Sequence, residues 1–556
     1  MLEAMEPKRS LLRSAGIVAF MTLLSRLSGL AQTFFLSHVL GAGAAADAYA
    51  VAFKLPNLLR RFTAEGTMTA AFLPTLAEVE AKEGEAAMKD TAAKFLGTLT
   101  LLLAILVTLA ILLMGIIAGV LVVGRLTPPG SGFGASFEML GQVLSGRVPP
   151  PPELALTIRL GRIMFPYLVL VSLTAGFAGL MNLRHKFGLA ASVGIFWNVA
   201  FISFGAVALW FFRRMGWASE STAALACALA VLAGGIAQLA ILWPAAVKLG
   251  FRFRLGFYFS DPGVKRALRR MGPGLLAAGI YPINALISTM LASSLAEGAQ
   301  IVLYNSGMMG EMVLGLFAMS LATASLPVMA QQAEARDLEG LRGSLSDGLR
   351  ASALLCIPAC IGLAVLAVPV ARLLFQTGRY GADAALWTAT TMMFQMVGLL
   401  FVAASRIGTQ ALYALKDYRG PVAVAFASLI ANIALSIALL KPLGTSGLAL
   451  ANGLSAIFGL GLLTLLLQKR LGHLPVNPVL KGWGQSLLGA LLMGALAYFG
   501  AKGLSLEGPL LSRKLLALKL LPLIAACGLA YFGLMLAIGN DQAKQLAGKL
   551  RRKLAG

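Results

Sequence analysis

The residues with the most chemical capacity lie between Ser25 and Pro74, where two strongly hydrophobic segments carry Arg26, Asp47, Lys54, Arg60, Arg61 and Glu65. An ionisable side chain at bilayer depth costs at least ~2.5 kcal/mol on insertion scales, so such groups face a wet cavity, a partner or a substrate. Several arginines around one cavity suit a multivalent anion, because a guanidinium stays charged and its fork matches phosphate oxygens two at a time. Arg26 lies within SRLSGL, beside Ser25, Ser28 and Gly29, small residues that let a neighbouring helix approach closely. Pro56 interrupts the second segment just before NLLRR and predicts a kinked backbone next to two guanidiniums. Arg60 and Glu65 lie on neighbouring helix faces, which predicts an internal ion pair, and Arg162, Glu311 and Arg406 are further candidates for the same cavity. Asp47 follows GAGAAA at a turn, where capping the second helix explains it as well as a functional role does. The sequence holds no Walker A, HExxH or GxSxG motif, so the chemistry it supports is binding and transport, not enzymatic catalysis.

Positioning these groups falls to apolar helices. Of the 556 residues 58% are hydrophobic and only 12% charged, with a mean hydropathy of +0.82, which excludes a soluble multidomain protein and identifies an all-α polytopic membrane protein. The hydrophobic segments predict 14 transmembrane helices, near 15–40, 46–76, 92–123, 155–182, 187–212, 222–247, 267–296, 299–332, 350–375, 385–413, 420–440, 446–468, 480–502 and 514–538. Lys8, Arg9 and Arg13 precede the first as in a signal peptide, but the apolar run is long and lacks an A-x-A-like cleavage site, so a retained span is expected. The net charge of +23 gathers in alternate loops, as in the run from Lys248 to Arg270, and in the tail from Lys544 to Lys553. That asymmetry predicts both termini in the cytoplasm and no nucleic-acid partner. The segment GFRFRLGFYFSDPGVKRALRR, which begins at Gly250, alternates aromatic and basic residues and is expected to lie on an anionic leaflet. Cys227, Cys356, Cys360 and Cys527 sit in apolar runs without metal-type spacing, so no metal or other cofactor is expected.

The chain also repeats itself. LSHVLGAGAAADAY from Leu36 aligns with LASSLAEGAQIVLY from Leu291, and TAAFLPTLAE around Pro74 with TASLPVMAQ around Pro327. LMNLRHKFG from Leu180 then aligns with LYALKDYRG from Leu412, and WNVAFIS around Asn198 with ANIALSI around Asn432. Four matches in one order imply a duplication. The expected organisation is an N-lobe over 1–249, an amphipathic cytoplasmic linker over 250–266, a C-lobe over 267–470, and over 471–556 two more helices with a basic tail. Lobes with an even number of spans insert the same way up, which is the parallel-repeat architecture of alternating-access transporters, with a substrate site expected between the lobes.

SRLSGLAQ followed by LGAGAAADAYAVAFKLPNLLRRFTAEGTMTAAFLP strongly resembles the MurJ (MviN) family of lipid II flippases. RIMFPYLVLVSLTAGFAGLMN, RRMGPGLLAAGIYPIN, LLFQTGRY and ALYALKDYRGPV extend the likeness over almost the whole chain. The resemblance implies the fold of the multidrug/oligosaccharidyl-lipid/polysaccharide exporter superfamily, in the bacterial inner membrane. It implies movement of undecaprenyl-pyrophosphate-linked disaccharide pentapeptide to the outer leaflet for peptidoglycan synthesis. The implied partners are lipid II, membrane lipids and cell-wall synthesis proteins, with membrane potential or a coupling ion as the energy source. Carried over residue by residue, the family's essential cavity arginines fall on Arg26 and Arg60, its helix-two aspartate on Asp47 and its helix-eight glutamate on Glu311. Two further family arginines are replaced here by Gln32 and Met308, which keeps open a flippase for another polyprenyl-pyrophosphate glycan; a cation-coupled drug exporter, which would favour a carboxylate-rich, aromatic cavity, is the alternative from a different class.

Overall fold

A computed structural model describes residues 6–63, 67–128, 132–184, 186–278, 280–506, 508 and 511–554. It is built of helices and their connections and divides into two compact units. The first covers Met1–Gln300 with Thr377–Arg379, the second Ile301–Gln376 with Tyr380–Gly556.

The first unit holds α1 (Glu6–Leu40), α2 (Ala44–Thr63), α3 (Thr67–Leu112), α4 (Met114–Leu121), α5 (Gly132–Leu144), α6 (Pro152–Met164), α7 (Tyr167–Leu183), α8 (Phe187–Arg214), α9 (Glu220–Lys248), α10 (Pro262–Ala278) and α11 (Ile280–Ala292). Its core is an apolar cluster from α3, α7, α9 and α10 that includes Phe72, Phe95, Phe177, Leu242 and Met271. Phe72 and Phe95 stack with ring centroids 4.4 Å apart, an aromatic pairing that adds to area burial.

Two expected boundaries change. The second predicted span, 46–76, is divided between α2, which ends at Thr63, and the start of α3. α3 itself is broken at Gly84, whose φ of +87° is a conformation that glycine alone adopts without strain. α2 runs through Pro56 as one helix. Within the expected linker, residues 251–261 are non-helical, and α10 begins at Pro262.

That segment is strapped to α3. Arg254 pairs with Asp90 at 2.7 Å, Lys94 with Asp261 at 3.0 Å, and Tyr258 N donates to Thr98 Oγ1 at 3.1 Å. Phe253 packs on Trp243 at 5.4 Å. Farther along, Glu78 pairs with Arg266 at 3.3 Å and Arg270 at 2.8 Å. These contacts, with those of the 293–298 turn, explain why residues up to Gln300 pack with the first unit, whereas the repeat assigns 267 onward to the second lobe by descent.

The second unit holds α12 (Ala299–Val313), α13 (Met319–Glu334), α14 (Leu338–Val365), α15 (Ala367–Leu374), α16 (Ala382–Ala414), α17 (Arg419–Leu471), α18 (Val476–Gly503), α19 (Arg513–Ala537) and α20 (Asp541–Leu554). α17 joins two predicted spans across Gly444, at φ +56°. Its core includes Met329, Leu341, Leu345, Ile407, Leu463 and Leu467. α16 and α17 meet where Gly398 and Gly453 leave no room for a side chain: a Cβ on Gly398 would lie 1.9 Å from Gly453 Cα. The basic tail is helical as α20, docked by Arg350 to Asp541 at 2.6 Å and by Gln542 to Asp347 at 3.0 Å.

Among the described residues ten helices are long and apolar enough to cross a membrane. The all-helical membrane fold is thus present, with α17 contributing two of the predicted segments to one of those ten.

Candidate functional site

Position along α1 decides what Arg26 can do. Asn198 of α8 donates through Nδ2 to Ser28 Oγ at 2.8 Å and to Ser25 O at 3.2 Å. Gly194 on the same face of α8 leaves space for Ser25, whose Oγ would lie 2.3 Å from an added Cβ. With Ser25, Ser28 and Gly29 held against α8, helical rotation of about 100° per residue turns Arg26 away from that contact, and its side chain is exposed together with Leu23 and Leu27. The small residues around Arg26 therefore do what their size predicts.

On α2, Arg60 is half-buried and its Nε donates to Asn57 Oδ1 at 3.2 Å. Lys54 is half-buried on the same helix. Glu65 lies outside the described residues, as does the side chain of Arg61, and the expected Arg60–Glu65 pair falls with them. Arg162 on α6 is exposed and its Nε donates to Ile111 O at 3.4 Å. In the second unit Glu311 on α12 is exposed and Arg406 on α16 half-buried. Gln32, at one of the replaced arginine positions, is packed inside at 6% exposure, and Met308 is half-buried.

Asp47 has a different environment. α2 starts at Ala44, so Asp47 is inside the first turn and is not its cap. Its side chain is fully buried. Arg125 Nη2 lies 2.5 Å from Asp47 Oδ2, the same oxygen accepts Gly298 N at 2.8 Å, and Arg125 Nη1 pairs with Glu153. Arg125 Nη2 also donates to Ala296 O at 3.1 Å. Burial works against the Arg125 charge, but the facing carboxylates of Asp47 and Glu153 outweigh it and hold the guanidinium above its ordinary range. Sequence reasoning missed this cluster. Arg125 lies just past the predicted span 92–123, and its partners are too distant along the chain for any local pattern to join them.

The asparagines of the repeat also differ. Asn432 Nδ2 donates to Asn452 Oδ1 at 2.9 Å and Ser455 Oγ at 3.2 Å within α17. Among the described residues no group of three or more His, Cys, Asp or Glu side chains is placed to hold a metal ion, and all four cysteines are buried.

Residues 36–516 match the family model for lipid II flippase MurJ. The chain is 30% identical over 542 residues to the lipid II flippase MurJ of Burkholderia cenocepacia, covering 96% of this chain and 98% of that protein. A probable lipid II flippase MurJ of Vibrio cholerae is 30% identical over 499 residues, with 90% of each chain covered. Among solved structures, one described as lipid II flippase MurJ in an inward closed conformation superposes with a TM-score of 0.70 at 19% identity, covering 94% of this chain and 99% of that one. An inward-facing multidrug resistance MATE family transporter of the MOP superfamily superposes with a TM-score of 0.59 at 12% identity, covering 82% and 98%.

Proposed function

The chain belongs to the MurJ family of lipid II flippases, and from that premise we propose how its own residues serve the transfer of undecaprenyl-pyrophosphate-linked disaccharide pentapeptide from the inner to the outer leaflet. Arg26 and Arg60 hold the pyrophosphate, through charge-assisted bonds from guanidinium forks that stay ionised at every step. The prenyl tail remains in lipid, and the headgroup crosses by alternating access with no bond made or broken, so no catalytic residue is assigned. The observation that carries this reading is the exposed Arg26 guanidinium on a helix whose neighbouring serines are bonded to Asn198. An arginine held ready in this way at mid-span has a cost that a bound anion offsets. Glu311, Arg406 and Arg162 are proposed to contact the rest of the headgroup.

The protein is a multi-pass membrane protein, and we place it in the bacterial inner membrane with both termini in the cytoplasm on the distribution of lysine and arginine. Membrane potential biases the return of an empty cationic cavity, since one charge moved through 100 mV is worth about 2.3 kcal/mol. The test is complementation of a flippase-depleted strain. Arg26→Ala and Arg60→Ala are expected to abolish growth while the protein accumulates to normal levels; normal growth of both variants would sink the assignment. Gln32 and Met308, where the family resemblance implies arginines, favour one second reading, a flippase for another polyprenyl-pyrophosphate glycan. Protection of the headgroup from an external reagent, measured with lipid II and with other polyprenyl glycans, separates the two.

A further inference from the structure

We propose that Arg125 is a positioning residue for transport. In this proposal it closes a reversible latch between the first turn of α2, the first turn of α6 and the 293–298 turn, and Asp47 acts through it instead of touching the substrate. The proposal rests on the flippase reading above for its direction of opening.

Four chain segments meet at this point through polar contacts. Arg125 joins Asp47, Glu153 and Ala296 O, Asp47 holds Gly298 N, and Gly124 N donates to Ser293 Oγ at 2.9 Å. Asp47 is fully buried and Ser293 is 1% exposed, so in this state neither is open to a substrate headgroup. The contacted turn lies in the duplicated sequence, where Gly298 aligns with Gly43, one residue before α2 begins.

The chemistry of the contact suggests why it is polar. Replacing a buried ion cluster with well-packed apolar residues is often neutral or stabilising, so such a cluster is weak as a device for stability alone. Its value lies in reversibility. An interdigitated apolar seam loses its transfer free energy when it parts, whereas separated carboxylates and a guanidinium regain hydration, leaving a small net difference per bond. One arginine holding three segments also makes release all-or-none, because losing Arg125 removes the bonds to Asp47, Glu153 and Ala296 together.

The experiment is thiol accessibility at Ser293→Cys, a near-isosteric change in a chain whose four native cysteines are buried. A membrane-impermeant maleimide is applied to the outside of spheroplasts, with lipid-linked precursor synthesis running or blocked. The latch predicts labelling several-fold faster while precursor is supplied than while it is blocked. Adding Arg125→Gln is expected to give fast labelling in both conditions and to lose complementation, and Arg125→Lys to fall between. Slow labelling with and without precursor that Arg125→Gln leaves slow, or full complementation by Arg125→Gln, overturns the proposal. Labelling that responds to Arg125→Gln but not to precursor supports the latch and counts against the flippase reading, so the two fail separately.

Discussion

Asn198 and Asn432 occupy matching places in the duplicated sequence, and each uses its amide to fix a helix contact. Asn198 reaches Ser25 and Ser28 across to α1, while Asn432 reaches Asn452 and Ser455 within the hairpin of α17. Interhelical hydrogen bonds in membranes are worth about 0.6–2 kcal/mol. Asn198→Leu and Asn432→Leu should each lower the unfolding midpoint in detergent by an amount consistent with that range. The two part in function. Asn198→Leu frees the face of α1 that orients Arg26, so we expect it to weaken complementation more than Asn432→Leu does; equal activity of the two variants would contradict the orienting role. Nothing local to Asn198 in the sequence names Ser28 as its partner, though the small residues around Arg26 do announce a close helix neighbour.

At the scale of elements, close approach is enforced by glycine. A Cβ at Gly398 would meet Gly453 Cα at 1.9 Å, and one at Gly97 would meet Arg254 O at 1.7 Å. Gly398→Val must push α16 from α17 and should cost at least the ~1–3 kcal/mol typical of overpacking, read as a loss of thermal stability. Gly97→Val should instead lift residues 251–261 from α3 with a smaller effect on global unfolding, visible as faster hydrogen exchange in that strap. The strap also carries a pH dependence. Burial alone would raise the Asp261 carboxyl, but the Lys94 ammonium and the N–H groups of Val264 and Gly263 outweigh it and hold it below its usual range. A depressed carboxyl contributes stability that is fully present above its unfolded value of about 3.9 and fades as pH falls through the lower folded value. Exchange protection of the strap should therefore be constant near neutrality and decline in acid below about pH 4, and Asp261→Asn should remove the step.

For the whole molecule, charge asymmetry carries the orientation. In the proposed topology the run from Lys248 to Arg270 and the basic tail fall on the side rich in lysine and arginine, and the loop after Arg214 on the poorer side. Alkaline phosphatase fused after Met215 is predicted to be active, and fusions within 250–260 or at the C-terminus inactive; the reverse pattern would invert the proposed topology. Folding joins the strap and α10 to the first unit, so the units seen by packing are not those delimited by the repeat. The duplication records descent, whereas compactness follows from ion pairs such as Glu78 with Arg266 and Arg270.

By itself the sequence determined the membrane class, the all-helical character and the family, because hydropathy, length and extended similarity are properties of contiguous residues. It also singled out Arg26 and Arg60, since charge in an apolar run is an energetic anomaly visible without coordinates. Only the tertiary structure decided the breaks at Gly84 and Gly444, the strap on α3 and the environment of Asp47. Its partners Arg125, Glu153 and Gly298 come from separate parts of the chain. A bond between residues so far apart leaves no periodicity to read, and a carboxylate that looks like a helix cap or a cavity ligand in sequence becomes half of a buried ion pair once the chain has folded.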